Sequence, residues 1–267
     1  MRMFTDRHVD AILCVRGGYG TSRLLPLLDY RAIRENAKVL VGYSDITSLH
    51  CALLVKADMV SFHGPMLNSD FASDEMPRFT LHSFLRTLGF RAGPDPEWPG
   101  ATGRSRTEPL GGNTANGYRG NTVRILRRGV AQGQLIGGNL TLLCATVGTP
   151  WQPPFRGRIL FFEDLNEEPY RLDRMLTQLL SCRLLQQLAG VAIGINRGCE
   201  DPKAAKLKEY RQSAEDVFRE RLLPLNIPIV AGLPFGHVRY NATLPIGSRA
   251  VLDGNRGQLM LTEPPVR

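Results

Sequence analysis

Short apolar runs separated by helical patterns constrain the fold of this chain more than any other feature. In the first part of the chain the runs are Val9 to Val15, Lys38 to Gly42 and Met59 to Phe62. The segment from Asp45 to Leu54, between two of these runs, repeats its apolar residues at a helical spacing. Strands that alternate with helices predict parallel βαβ units, so we expect an α/β protein.

The later part of the chain carries further strand patterns and two well-marked helix starts. The predicted strands are 158–162, 191–195, 227–231 and short segments around Val251 and Leu259. Pro169 suits the first turn of one helix, and Ser213 with Asp216 is typical of the capping pair that begins another. We therefore expect a second lobe built from strands and helices.

The two lobes are separated by a stretch of different composition. Pro, Gly, Asn, Thr and Arg accumulate from about Gly93 to Gly129 while the periodicity fades, which is typical of a linker. We predict an N-terminal lobe over residues 1–95, a linker over residues 96–130 and a C-terminal lobe over residues 131–267.

The composition excludes several classes of protein. The net charge is +8, but the arginines are spread along the chain and only 7% of residues are aromatic, which favours a basic solvated surface over a nucleic-acid site. No apolar run approaches the roughly 20 residues that cross a bilayer, and the N-terminus lacks a signal-like apolar stretch, so we expect a cytoplasmic protein with no membrane partner. The five cysteines are odd in number and lack CxxC spacing, which predicts reduced, mostly core residues.

The sharpest local signal is the segment Val39 to Thr47, an apolar strand that runs into Gly-Tyr-Ser-Asp and then a helix. The serine at this turn, Ser44, has its hydroxyl outside the hydrogen bonds of the strand, and amides at the helix start can stabilise an oxyanion. The alternative is that Ser44 only caps the helix. Ile46 stands where the α/β-hydrolase turn has a second glycine, so the pattern alone leaves both roles open.

A nucleophilic serine needs a base, and five histidines are available. His237 follows the predicted strand 227–231 in a turn rich in Gly and Pro, of the kind that positions functional side chains at a sheet edge. The alternative is a turn histidine bonded to the backbone. We expect His50 to be a surface or packing residue, and His63 is a weaker candidate for the base.

The third member of such a site is a carboxylate that orients the imidazole. Glu163 ends an apolar run and so projects from the end of a predicted buried strand. Its neighbours Asp164, Glu167 and Glu168 lie in a loop context that is typical of solvated or capping acids. The chain order of serine, acid and histidine matches that of several hydrolases.

A glycine-rich turn, Arg16 to Gly20, follows the first predicted strand but lacks the GxGxxG spacing of a dinucleotide site. Its glycines favour a second use, in which backbone amides approach a substrate carbonyl or carboxylate and Arg16 binds an anion. Gly137-Gly138-Asn139 offers a similar close approach in the second lobe.

Seven blocks, taken in order, resemble the LD-carboxypeptidase family. They are Val15 to Gly20, Gly42 to Thr47, Gly64 to Met66, Gly137 to Leu140, Gly148 to Trp151, Phe162 to Asp164 with Pro169 to Arg171, and Gly236-His237. The resemblance covers nearly the whole chain. It implies a Ser-Glu-His peptidase that removes the terminal D-alanine from a cytoplasmic murein tetrapeptide during peptidoglycan recycling.

The resemblance also implies a role for individual residues. By position, Ser44 matches the nucleophile, Glu163 the acid and His237 the base. The oxyanion hole would be formed by the amides of Asp45 and of the Gly17-Gly18 turn. Apart from the resemblance, Asn139 is a candidate for binding the substrate, and Arg16, Arg171 and Arg174 are candidates for binding its carboxylates. The alternative for each arginine is a surface or interlobe ion pair. The family fold implies a flavodoxin-like parallel α/β N-terminal lobe and a β-rich α/β C-terminal lobe, and family members are commonly homodimers without a metal or cofactor.

Two departures from the family leave alternatives open. Family members usually carry a further segment before the Arg16 block, so we expect an N-terminal lobe that lacks its first strands and exposes a sheet edge. The Gly/Arg-rich stretch from about Gly100 to Gly129 is longer than a family linker requires. The alternatives are a catalytically impaired homologue, a peptidase of the related branch that cleaves microcin-type peptidyl-nucleotides, an ordinary esterase, and a non-catalytic binding protein.

Overall fold

The computed structural model of the protein describes residues 1–73, 76–89, 123–200 and 212–265. The helices in these ranges are α1 (Arg2–Thr5), α2 (Thr21–Leu24), α3 (Tyr30–Glu35), α4 (Thr47–Ala52), α5 (Arg78–Thr87), α6 (Leu140–Ala145), α7 (Pro169–Ser181) and α8 (Ala214–Leu222). The strands are β1 (Ala11–Leu13), β2 (Val39–Gly42), β3 (Ser61–His63), β4 (Arg124–Arg127), β5 (Val130–Asn139), β6 (Ile159–Glu163), β7 (Gly190–Ile195), β8 (Ile229–Gly236), β9 (Leu244–Ile246), β10 (Arg249–Asp253) and β11 (Gln258–Leu261). These elements form two sheets.

The first sheet has the order β1-β2-β3-β9. Its first three strands are parallel and are connected by helices, so the predicted βαβ arrangement is confirmed. The last strand, β9, is antiparallel to β3, with Phe62 opposite Pro245. Because β9 comes from the later part of the chain, it joins the two halves of the molecule.

The second sheet has the order β11-β10-β5-β6-β7-β8-β4. Its central strands β5 to β8 are parallel, and the strands at both edges are antiparallel to their neighbours. The β-rich second lobe is therefore confirmed. Parallel strands require crossover connections, which here include α6, α7 and α8.

The predicted linker and the predicted lobes differ from the structure in two places. Arg124–Arg127 lies in the predicted linker but forms strand β4, which pairs with β8. This edge strand has an exposed Arg124 and Ile125, a buried Leu126 and a half-buried Arg127, a short pattern that the surrounding Gly and Arg residues concealed. Leu244–Ile246 lies in the predicted C-terminal lobe but belongs to the first sheet. Residues 90–122, which include residues 96–122 of the predicted linker and the end of the predicted N-terminal lobe, lie outside the described residues.

The second sheet is covered on both faces, and its central strand β6 is buried along its whole length. Phe162 packs in a cluster with residues of α6, α7 and α8, whereas Phe161 packs in a second cluster with residues of β8, β9 and β10. Each fully buried aromatic or aliphatic side chain of this kind contributes about 2 kcal/mol of hydrophobic stabilisation. The core therefore fixes the C-terminal end of β6, where Glu163 stands.

Local sequence signals explain the two helices nearest this core. Pro169 occupies the first turn of α7, where its missing N–H costs no intrahelical bond. Ser213 and Asp216 form a reciprocal capping box at the start of α8, as predicted. In the described residues no helix is both long and apolar enough to cross a membrane.

Candidate active site

Ser44, His237 and Glu163 form a hydrogen-bonded chain between the two sheets. The Ser44 Oγ lies 2.9 Å from His237 Nε2, and the His237 Nδ1 lies 2.6 Å from Glu163 Oε2. An ionised carboxylate only accepts hydrogen bonds, so Nδ1 carries the ring proton and Nε2 is free to accept the proton of the serine hydroxyl. The arrangement can activate a serine for attack on a carbonyl.

Ser44 has a backbone conformation that residues other than glycine rarely adopt. Its φ is 63°, in the left-handed region, directly after the last residue of β2 and Tyr43. Such a conformation costs about 1–3 kcal/mol and persists only where the surrounding structure enforces it. The N-cap residue of the 3₁₀ turn is Tyr43 and that of helix α4 is Ile46, so the alternative that Ser44 caps the helix is wrong.

Glu163 is the last residue of β6 and is fully buried. Burial raises the pKa of its carboxyl, and the hydrogen bond from His237 opposes that shift. The backbone of Gly236 passes close to this carboxylate, because a Cβ at position 236 would lie 2.9 Å from the Glu163 Cβ. Gly236 has φ 118°, so glycine is required there for two reasons.

His237 follows directly on β8 and is held from two sides. Its side chain is 13% exposed, so the imidazole remains reachable from the solvent. The ring of Tyr43 packs against it edge to face, with 5.0 Å between the ring centroids. The imidazole is therefore oriented by Glu163 on one side and by an aromatic ring of the first sheet on the other.

The glycine-rich loop lies directly on Ser44. A Cβ at Gly17 would lie 2.8 Å from the Ser44 Cβ and 3.6 Å from the amide nitrogen of Asp45. The loop is tied to the serine turn by Asp45, whose Oδ2 accepts hydrogen bonds from the Thr21 amide at 2.8 Å and the Thr21 hydroxyl at 2.6 Å. The backbone of Gly17 and the amide of Asp45 are thus near the nucleophile, where an oxyanion hole requires donors.

Asn139 has a structural role that the sequence did not indicate. Its side-chain oxygen accepts from the Leu142 amide at the start of α6, and its Nδ2 donates to Asp164 at 2.8 Å. Its backbone amide donates to the hydroxyl of Thr47, which follows the Ser44 turn. Asp164, expected to be a solvated or capping acid, is buried and caps α6, because its Oδ2 accepts from the amide and the hydroxyl of Thr141 in the first turn of that helix.

The candidate arginines lie at the periphery. Arg16 is exposed beside the glycine-rich loop. Arg171 and Arg174 both lie over the ring of Tyr170, with 5.7 Å and 5.6 Å from the guanidinium carbon to the ring centroid. They also line a cavity of about 530 Å³ together with Thr141 and Glu167.

Two further histidines lie near the triad and are fully buried. His50 bonds to the Ser61 hydroxyl and to the Gly42 carbonyl, so it is a packing residue and not a surface one. His63 packs against Tyr43 and Phe161 and makes no contact with Ser44 through a hydrogen bond in the described structure. Among the residues that the structure describes, no cluster of three or more His, Cys, Asp or Glu side chains is arranged to hold a metal ion.

Comparison with known families identifies the chain. The LD-carboxypeptidase N-terminal domain matches residues 1–64, and the LD-carboxypeptidase C-terminal domain matches residues 132–252. The chain belongs to the LD-carboxypeptidase family. The resemblance inferred from the seven sequence blocks is confirmed.

Relatives of this LD-carboxypeptidase family member are named either as murein peptide carboxypeptidases or as microcin self-immunity proteins. A probable murein peptide carboxypeptidase of Bacillus subtilis is 36% identical over 94% of this chain and 71% of its own length. The crystal structure of muramoyltetrapeptide carboxypeptidase from Oxalobacter formigenes has a TM-score of 0.79 at 34% identity, over 98% of this chain and 81% of that chain.

The second kind of relative is the microcin C7 self-immunity protein MccF of Escherichia coli, which is 28% identical over 96% of this chain and 74% of its own length. A structure of MccF in complex with aspartyl sulfamoyl adenosine has a TM-score of 0.82 at 25% identity, over 100% of this chain and 79% of that chain. Membership of the family therefore does not by itself distinguish a murein peptide substrate from a microcin-type substrate.

Proposed function

We propose that this LD-carboxypeptidase family member is a serine carboxypeptidase that removes the terminal D-alanine from murein tetrapeptides. The observation that supports the proposal best is the hydrogen-bonded chain of Ser44, His237 and Glu163, which joins residues 193 and 74 positions apart in sequence. The names of the Bacillus and Oxalobacter relatives support a murein peptide as substrate.

In the proposed reaction, Ser44 attacks the carbonyl before the terminal D-residue while His237 Nε2 accepts the hydroxyl proton. Glu163 stabilises the imidazolium that forms. The amides of Asp45 and of the Gly17-Gly18 turn bind the oxyanion of the tetrahedral intermediate. His237 then protonates the departing amine, D-alanine leaves, and water releases the acyl group from Ser44 by the same route.

The carboxylates of such a peptide need cationic partners. We propose Arg16, beside the glycine-rich loop, and Arg171 and Arg174, at the cavity next to Thr141, for this role. A planar guanidinium binds a carboxylate with two parallel hydrogen bonds, which suits recognition of a free peptide terminus.

The family also supports a cellular setting. We propose that the enzyme acts as a homodimer on tetrapeptides released into the cytoplasm during peptidoglycan recycling. Light scattering of the purified protein is expected to give twice the chain mass of 29.6 kDa. A mass equal to one chain would reject the dimer without affecting the proposed reaction.

Release of D-alanine from a murein tetrapeptide tests the proposed reaction. The parent protein is expected to release D-alanine stoichiometrically, and Ser44→Ala to lose at least about 10⁴-fold in kcat, as loss of a triad member does. Ser22→Ala is the matched control, because it removes a serine hydroxyl whose hydrogen bond is to Ser48. D-alanine release by Ser44→Ala at the parental rate would reject Ser44 as nucleophile.

The MccF relatives support a second candidate function, hydrolysis of an aminoacyl-nucleotide analogue. Aspartyl sulfamoyl adenosine, the compound bound in a MccF structure, is the probe for this arm of the test. Cleavage of this compound without cleavage of the tetrapeptide would replace the proposed substrate. Cleavage of neither by a folded protein would favour the catalytically impaired homologue.

A further inference from the structure

His50 connects the helix that follows the nucleophile to two strands of the first sheet. It lies on α4, is fully buried, and places Nε2 2.9 Å from the carbonyl oxygen of Gly42 and Nδ1 2.8 Å from the hydroxyl of Ser61. Gly42 is the last residue of β2, and Ser61 is the first residue of β3. One side chain therefore joins α4, β2 and β3.

The chemistry of these partners fixes the proton of the ring. A carbonyl oxygen only accepts hydrogen bonds, so Nε2 carries the proton and donates it to Gly42. In a neutral ring Nδ1 is then an acceptor, and the Ser61 hydroxyl donates to it. Burial lowers the pKa of His50 to about 4, which keeps the ring neutral at physiological pH.

The Gly42 carbonyl is the last backbone acceptor of β2, two residues before the strained Ser44. It also accepts from the amide of Gly64 at 3.2 Å, so both of its lone pairs are used. Two residues further on, Ser44 has φ 63°. A non-glycine residue keeps such a conformation only while its surroundings enforce it, and the direction in which β2 ends is part of those surroundings.

We propose that His50 is a positioning residue for Ser44, which acts by fixing the carbonyl at the end of β2 from which the nucleophile turn departs. The inference rests on the proposed function for its kinetic readout. In the described part of the chain His50 forms no hydrogen bond with Ser44 or His237, so its effect is on geometry and not on proton transfer.

Substitutions at position 50 separate positioning from bulk packing. His50→Leu removes both hydrogen bonds, and we expect kcat to fall about 10- to 100-fold at unchanged KM, because misplacement of a reacting group lowers kcat. His50→Gln offers a side-chain amide donor for Gly42 and an oxygen for Ser61, and we expect kcat within about threefold of the parent. Equal kcat losses for Gln and Leu would overturn the proposal.

Cys51→Ala is the matched control for loss of buried volume. Cys51 is the next residue of α4, is 1% exposed, and packs in the core cluster of the second sheet, whereas the hydrogen bonds to the Gly42 carbonyl come from His50 and Gly64. We expect Cys51→Ala to lower the melting temperature while leaving kcat near the parental value. A kcat loss as large as that of His50→Leu would assign the effect to stability and overturn the proposal.

NMR provides a readout that does not depend on the reaction. The His50 Nε2 is expected to show a directly bonded proton and Nδ1 none, and the amide resonances of Tyr43, Ser44 and Asp45 to move in His50→Leu but not in His50→Gln. Unmoved amides in His50→Leu, or a proton on Nδ1 in the parent, would overturn the proposal even if the tetrapeptide were not a substrate.

If His50→Leu does not fold, Ser61→Ala carries the test. Without the Ser61 hydroxyl, Nδ1 loses its partner while Nε2 still donates to the Gly42 carbonyl, so the parental tautomer is kept but the ring is no longer anchored to β3, and a lower kcat at unchanged KM is expected. A parental kcat together with parental amide resonances of Tyr43 and Ser44 would overturn the proposal.

Discussion

The two halves of the active site differ in how they are held. Glu163 ends strand β6 and His237 follows strand β8 of the seven-stranded sheet, and every residue of these two strands is buried. Ser44 follows β2, one of the short strands of a four-stranded sheet, and stands at φ 63°. The acid and the base thus rest on a rigid core, whereas the nucleophile depends on a small set of local contacts.

These local contacts come from three directions. The Thr21–Asp45 hydrogen bonds hold the glycine-rich loop, His50 holds the end of β2, and β9 pairs with β3 from the later part of the chain. Loss of a contact around Ser44 is therefore expected to lower kcat more than it lowers the stability of the protein. Loss of a contact around Glu163 or His237 is expected to lower both kcat and stability.

The largest expected effect tests whether the two halves act as one unit. His237→Ala and Ser44→Ala are each expected to lower kcat by about 10⁴- to 10⁶-fold, and the double variant to be no worse than either single one. Steady-state kinetics with the tetrapeptide measure this. Additive losses in the double variant would show that the serine and the histidine act independently.

The pH dependence of stability is expected to reveal the burial of His50 beside the first sheet. The pKa of His50 falls from about 6.5 in the unfolded chain to about 4 in the folded protein. As the pH falls from about 6.5 to about 4, His50 binds a proton in the unfolded chain but remains neutral in the folded protein. The free energy of unfolding therefore decreases, by up to about 3 kcal/mol. Urea unfolding at pH 7 and pH 5 should show a smaller loss for His50→Gln than for the parent, and equal losses would contradict the shift.

Alanine substitutions at Gly17 and Gly236 test the Ser44 part and the Glu163 part of the active site in the same way. Gly17→Ala would place a Cβ 2.8 Å from the Ser44 Cβ, and Gly236→Ala one 2.9 Å from the Glu163 Cβ. We expect kcat to fall about 100-fold in both, because about 1 Å of displacement at the site has this effect.

Only Gly236→Ala should also lower the melting temperature clearly, since its strand is buried and its φ is positive. Gly157→Ala is the control, because Gly157 has φ 67° and no atom within 4 Å of the added Cβ. An unchanged kcat in Gly17→Ala would show that the glycine-rich loop does not contribute to catalysis.

The smallest expected effect concerns the tether of the glycine-rich loop. Thr21→Val removes the hydroxyl that donates to Asp45 and retains the backbone amide bond. Loss of one hydrogen bond to a charged group is worth about 1.5 kcal/mol, so we expect kcat to fall about tenfold. Thr5→Val, which loses only a bond to the Arg2 carbonyl in an exposed helix, is the control and should leave kcat unchanged.

Much of the fold could be predicted from the sequence because its signals are local. The apolar runs located β2, β6 and β7 to within one or two residues, and Pro169 and Ser213 marked the starts of α7 and α8. Strand β4 was missed because two arginines flank its two apolar residues, and β9 because Leu-Pro-Ile is too short to show a period.

For the site, the sequence by itself determined which residue types stand at strand ends: a serine after β2, a glutamate at the end of β6 and a histidine after β8. The tertiary structure decided that these three meet at hydrogen-bond distance, that Asn139 caps α6, and that His50 and Asp164 are buried. Strand ends and caps follow from neighbouring residues, but burial and long-range hydrogen bonds depend on how the two sheets pack. No local pattern contains that packing, so only the folded chain could supply it.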